Sequence, residues 1–185
     1  MKTKLLFLLT LTCMSFIGFA QKPLEFSIVI RQDSLSASDL YESTKSWFAE
    51  TYANNKAVIR DDNPGKQITG KGSIPFKAST IYTSISGYIE YLIDTQFREG
   101  RLKLTMRNLT HTAARKAMYD NDMGLLVDSL PSDLKDIGIS GANRKTSYKY
   151  YFKHGKPLCE ETFVEIAESL KSFLKKREAD TKEDW

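Results

Sequence analysis

The chain has 185 residues, 41% of them hydrophobic and 27% charged, with a formal net charge of +4. That length supports one domain with a real hydrophobic core, and the charge is too mild for a surface that grips a polyanion over its whole extent. Two cysteines, Cys13 and Cys159, exclude a scaffold built on several disulfides.

Met1 to Ala20 has the organisation of an export signal. Lys2 and Lys4 open it, an apolar run from Leu5 to Leu11 follows, and Gly18-Phe19-Ala20 ends it with small residues. Cleavage is expected after Ala20, which leaves Gln21 first and the protein periplasmic or secreted. The apolar run falls short of the about 20 residues a membrane span needs, and no later run is longer, so the mature chain should hold no transmembrane helix. Thr10-Leu11-Thr12 departs from the Leu, small residue, Gly or Ala pattern that precedes an acylated cysteine. Export removes the chain from most nucleic acid and nucleotide cofactors. It also leaves Cys159 alone, read as a small apolar residue; Glu160 and Glu161 beside it oppose thiolate formation.

Leu24, Phe26, Ile28 and Ile30 alternate with polar or opposite-facing residues, as in a strand with one buried face. Ser36 and Asp39 fit a capping box, with Leu35 and Leu40 at the staple positions. The helix they open presents Leu40, Thr44, Trp47 and Phe48 on one face. Ala57-Val58-Ile59 reads as a short strand that ends at the turn signal Asp61-Asp62-Asn63-Pro64-Gly65. Ile68, Gly70, Gly72, Ile74 and Phe76 share one side of the next strand. Ile85, Gly87, Ile89, Tyr91, Ile93 and Phe97 share one side of a longer one. Glu99-Gly100 turns it into Leu102, Leu104 and Met106. The tight connections define an antiparallel meander.

Residues 111–158 read as a connector with short elements. Ala113 to Tyr119 suggests a short helix, Leu125 to Leu134 an apolar patch broken by Pro131, and Ser140 to Asn143 a loop. A last helix is expected over 159–178, after Pro157, with Phe163, Ile166, Ala167, Leu170, Phe173 and Leu174 at helical spacing and a polar tail over 179–185. Glu160 and Glu161 near its start and Lys175-Lys176-Arg177 near its end suit the helix dipole.

Over the core region 21–110, from Leu24 to Asn108, the chain resembles an uncharacterised family of exported Bacteroidota domains of unknown function with a TBP-like fold. The resembling residues are Trp47-Phe48, Val58-Ile59, Gly65 to Gly72, Gly87-Tyr88-Ile89 and Gly100-Arg101-Leu102. The resemblance implies an α+β fold: an antiparallel β-α-β-β-β-β-α sheet with two main helices packed on one face. It implies no activity and no site residues, and 111–157 lies outside it or in its variable part.

The residues assemble no recognisable reactive centre. Gly65 to Gly72 approaches a phosphate-binding loop, but Gly72 replaces the hydroxyl residue after Gly70-Lys71, and Ser73-Ile74-Pro75-Phe76 continues a strand where a helix should begin. Glycines there fit close approach of a helix or a bulge. His111 and His154 lack a second ligand at metal-site spacing. Asp61-Asp62-Asn63 lacks the ligand pattern of an EF-hand loop. Gly138-Ile139-Ser140-Gly141 is not a nucleophile elbow. No catalytic residue, cofactor or metal site is assigned.

Two surfaces are candidates for a partner, an unknown protein or cell-envelope component. One is the basic-aromatic run with Arg144, Lys145, Tyr148, Lys149, Tyr151 and Lys153; its bland reading is an extended connector with aromatics inward and lysines in water. The other is the outer sheet face, with Tyr88, Arg101, Lys103 and Arg107. Bases there should stand across from acids such as Glu90 and Asp94, and such a mixed face on an exported protein argues against nucleic acid. The leading expectation is an exported, non-catalytic binding or interaction domain. The alternative is a carrier of a lipid or small apolar ligand, with a cavity between sheet and C-terminal helix.

Overall fold

A computed structural model describes residues 21–52, 59–114 and 121–183; the expected export signal lies outside these. Strand β1 spans Phe26–Arg31, helix α1 Ala37–Thr51, β2 Ile59–Asn63, β3 Gln67–Phe76, β4 Gly87–Arg98, β5 Arg101–Ala113 and β6 Gly124–Leu125. Helix α2 spans Ala142–Glu183. Short 3-10 turns occupy Thr80–Ile85 and Leu134–Ile137. The sheet order is β1-β5-β4-β3-β2, every neighbour antiparallel, with β6 also on β5. Both helices cover one face, so the architecture is the α+β sheet with one-sided helices that the resemblance implied.

Local chemistry explains the elements. Ser36 Oγ accepts from the Asp39 N–H at 3.1 Å and Asp39 Oδ2 accepts from the Ser36 N–H at 3.2 Å, completing the capping box of α1. Leu40, Trp47 and Phe48 are buried on its inner face. Phe48 lies directly over β3: a Cβ added to Gly70 would sit 2.7 Å from the Phe48 ring. The strand glycine therefore makes room for the helix, and the glycine-rich run is a strand, not a phosphate cradle. Asp62 lies in β2, where it accepts from Tyr41 at 2.6 Å and Lys45 at 2.8 Å and ties α1 to the sheet. Lys45 and Tyr41 hold the Asp62 carboxyl below its usual range.

Leu102, Leu104 and Met106 of β5 face the core, as do Ile89 and Ile93 of β4. Beyond Met106 the alternation changes phase. Asn108 has φ 57°, and the β4–β5 register shifts between Glu90 and Leu92, so β5 carries one extra residue in a bulge. Leu109 and His111 then point inward.

The C-terminal third departs from expectation. The supposed connector ends in the first turns of α2, which begins at Ala142 instead of after Pro157 and continues to Glu183. The loop expected at Ser140–Asn143 is therefore already helical at Ala142. Of the short helix expected over Ala113–Tyr119, Ala113 closes β5 and 115–120 lie outside the described residues. With 42 residues, α2 is about 63 Å long. Tyr148, Tyr151, Gly155, Cys159, Phe163, Ala167, Leu170 and Leu174 form one buried stripe at three- and four-residue spacing. Pro157 sits on the exposed side of the helix, where water can satisfy the Lys153 carbonyl that loses its intrahelical donor.

Candidate functional site

The structure separates the residues proposed for partner binding. Tyr148 and Tyr151 are fully buried, which corrects their placement on a binding surface. The reason is the helix: at its pitch they fall on the stripe that faces the sheet. Tyr148 donates to the Leu125 carbonyl at 3.0 Å, and burial pushes its hydroxyl up to about 12. Tyr151 packs edge-on against Phe76, with centroids 5.4 Å apart, and lies 5.1 Å from the His111 ring. Arg144 donates to the Asp122 carbonyl and Lys145 pairs with Asp133, each at 3.0 Å. Lys149 and Lys153 are exposed on α2.

The titratable groups inside are committed to packing. His111 is buried; its Nε2 lies 2.8 Å from the Ile85 carbonyl and its Nδ1 3.1 Å from the Met123 N–H. A neutral ring that donates through Nε2 and accepts at Nδ1 satisfies both, and burial lowers the His111 pKa. Cys159 is buried, and burial pushes its thiol up to about 12. Among the described residues no group of three His, Cys, Asp or Glu side chains converges to hold a metal ion.

The outer face of the sheet is different. Its middle is neutralised: Arg107 pairs with Asp94, and Lys71 with Glu90 at 2.7 Å. Thr69 also donates to Asp94, at 2.7 Å. Acids do not stand directly across from the bases of β5 as expected: the register sets Asp94 opposite Thr105, Leu92 opposite Arg107 and Glu90 opposite Thr110, so Arg107 reaches Asp94 diagonally and Glu90 pairs with β3 instead. Tyr88 lies at the far end of β4, half exposed opposite Thr112.

At the hairpin end the pattern breaks. The two-residue turn Glu99-Gly100 sets Arg98 directly opposite Arg101, and Arg101 is in register with Arg31 on β1. Three guanidinium groups therefore occupy one row across three strands. Lys103 stands in the next row between Val29 and Gln96. Val29, Gln96, Arg98, Arg101, Leu102 and Lys103 line a shallow depression of about 240 Å³. Glu99, the acid nearest in sequence, instead accepts from the Ala37 N–H at 3.2 Å at the start of α1. Like charges directly opposite one another in a sheet are unfavourable. Arg101 and Lys103 were legible as members of this face. Arg31, Gln96 and Arg98 were missed, although the tight turn at Glu99-Gly100 already implies that Arg98 faces Arg101.

Five antiparallel strands in the order β1-β5-β4-β3-β2, with both helices on one side, define a TBP-like α+β domain. Residues 26–112 match the family described as "Domain of unknown function (DUF4468) with TBP-like fold". Two solved structures share the fold. A DUF4468 family protein from Bacteroides ovatus ATCC 8483 aligns with TM-score 0.54 at 14% identity, over 85% of this chain and 94% of that one. A TBP-like protein from Parabacteroides distasonis ATCC 8503 aligns with TM-score 0.51 at 10% identity, over 84% of this chain and 96% of that one. No curated protein matches the sequence. Among the described residues, no helix is long and apolar enough to cross a membrane.

Proposed function

We propose that this protein is an exported, non-catalytic binding domain that recognises an anionic group of a protein or envelope component at the hairpin end of its outer sheet face. The observation that carries the reading is the row Arg31, Arg101 and Arg98, flanked by Lys103. An arrangement that works against the sheet's own stability is accounted for if an anion completes it, because guanidinium forks bind carboxylates and phosphates in bidentate fashion. The engagement of His111 and Cys159 in the core supports the absence of catalysis. The carrier alternative draws less support: Tyr148, Tyr151, Cys159, Phe163 and Leu170 fill the space between α2 and the sheet.

The test is a titration of the purified protein with hexaglutamate and with vesicles containing phosphatidylglycerol, compared with an Arg98→Ala/Arg101→Ala/Lys103→Ala variant. Saturable binding to either probe that weakens at least tenfold in the variant supports the reading. No binding at low salt, or equal binding by the variant, removes it. Intact mass of the protein recovered after expression in a Gram-negative host checks export: a chain that begins at Gln21 is expected.

A further inference from the structure

The two edges of the sheet are built in opposite ways. Edge strand β2 reads Ile59-Arg60-Asp61-Asp62-Asn63, and its register with β3 shifts between Ile59 and Asp61. Charge and a bulge both protect an edge from pairing with another strand. Edge strand β1 has neither protection between Ser27 and Ile30, and it pairs with β5 without a register shift. Ile28 is 44% and Val29 50% exposed.

The hydrogen-bond phase of β1 is set by its end. The Gln32 N–H bonds to the Gly100 carbonyl at 2.8 Å, one step beyond the Arg31–Arg101 pair. Bonding alternates along an antiparallel pair, so Phe26, Ile28 and Ile30 exchange bonds with β5. The N–H and C=O groups of Glu25, Ser27, Val29 and Arg31 then point out of the sheet. None of these backbone groups has a hydrogen-bond partner outside the sheet among the described residues.

We infer that β1 pairs antiparallel with β1 of a second copy of this chain about a two-fold axis through Ile28, joining the two sheets into one. The occupant follows from the strand's own sequence. With Ile28 opposite Ile28 of the second copy, Ser27 meets Val29 and Glu25 meets Arg31. Both of the latter pairs carry the outward-pointing backbone groups, as the phase requires. Moving the register by two residues in either direction removes the Glu25–Arg31 match. In the joined sheet Arg31 lies beside a carboxylate, and Glu25, which already feels the charge of Arg107 on its own chain, lies between two cations. The exposed Ile28 side chains meet at the axis. Symmetric closure about a two-fold uses up both β1 edges and leaves the protected β2 edges outermost.

Sedimentation of the purified protein over about a hundredfold concentration range should show a monomer–dimer equilibrium. Val29→Pro removes an outward N–H that β5 does not use, so far-UV circular dichroism and melting temperature should stay close to the parent's while the dimer weakens at least tenfold. Glu25→Arg and Arg31→Glu should each weaken it, and the double exchange should restore it to within about threefold. In the chain that begins at Gln21, whose other thiol, Cys159, is buried, Ile28→Cys should form an intermolecular disulfide under mild oxidation, because facing non-bonded pairs have Cα atoms about 4.5 Å apart. A chain monomeric at every concentration overturns the inference. So does a dimer indifferent to Val29→Pro, or a double exchange no better than the single ones. None of these readouts uses an anion, so failure of the anion-binding reading leaves this test intact.

Discussion

The two faces of the sheet are shaped by different constraints. The inner face, with Ile68, Ile89, Ile93, Leu102, Leu104 and Met106 buried against two helices, places each side chain by packing. His111 there is hydrogen-bonded at both ring nitrogens, while the hydroxyls of Thr44, Thr95 and Tyr151 are buried without a partner among the described residues. Among the described residues, nothing covers the outer face. There charges in the middle pair off, while Arg31, Arg98, Arg101 and Lys103 gather at one end. Packing accounts for the apolar side chains of the first face. It gives no reason for the second, so function is sought in the cationic row.

The sharpest way to break this comparison is to remove inner-face packing. Leu104→Ala, fully buried in the parent, should cost about 2–5 kcal/mol in denaturant unfolding. A cost below about 1 kcal/mol would mean that the inner face is not the close-packed layer described. Asp94 is the polar group most integrated into the outer face, accepting from both Thr69 and Arg107. Asp94→Ala should therefore cost about 1–3 kcal/mol in the same measurement, since it strands a charged partner.

His111 gives the pH dependence. Its neutral form is the folded one, and its pKa in the fold lies below the usual 6.5. The unfolded chain thus binds more protons just below that value, and stability should be complete above it and fall as pH drops through 6.5 towards 5. Urea midpoints between pH 8 and 5 check this. In His111→Gln, itself destabilised, the slope over that interval should flatten; an unchanged slope would assign it to another group.

The smallest expected effect is on the outer row. Arg98→Ala and Arg101→Ala each relieve a like-charge pair and should change stability by no more than about 0.5 kcal/mol, in the stabilising direction. A loss above 1 kcal/mol in thermal unfolding would show that the row is structural, and the contrast between the faces would disappear.

Much of the fold was legible because its signals are local. Ser36 and Asp39 cap α1 as expected, and the alternation in β3, β4 and the first half of β5 matches burial. The first half of α2 is hidden in the sequence, although its apolar spacing continues unbroken from Tyr148. Gly155 and Pro157 look like punctuation. In the fold Gly155 lies against Tyr151 and near Ile89, where a Cβ would be 2.9 Å from the Tyr151 ring, and Pro157 turns to water. Both residues answer to tertiary surroundings that composition does not show. The same apparent punctuation makes Tyr148 and Tyr151 look like surface residues in the sequence. The cationic row was half visible, because Arg31 joins it only through β1–β5 pairing, which brings together residues seventy positions apart in sequence.

The extra residue at Asn108 acts as a frame shift within one strand. Straightening the bulge with Asn108 kept in the ladder would turn everything distal by one side: Thr110 and Thr112 would face the helices, and His111 would swing into solvent, away from Ile85 and Met123, whereas deleting Asn108 would leave Leu109 and His111 facing inward. The bulge at one residue therefore decides whether the imidazole is a sealed structural bond or an exposed base.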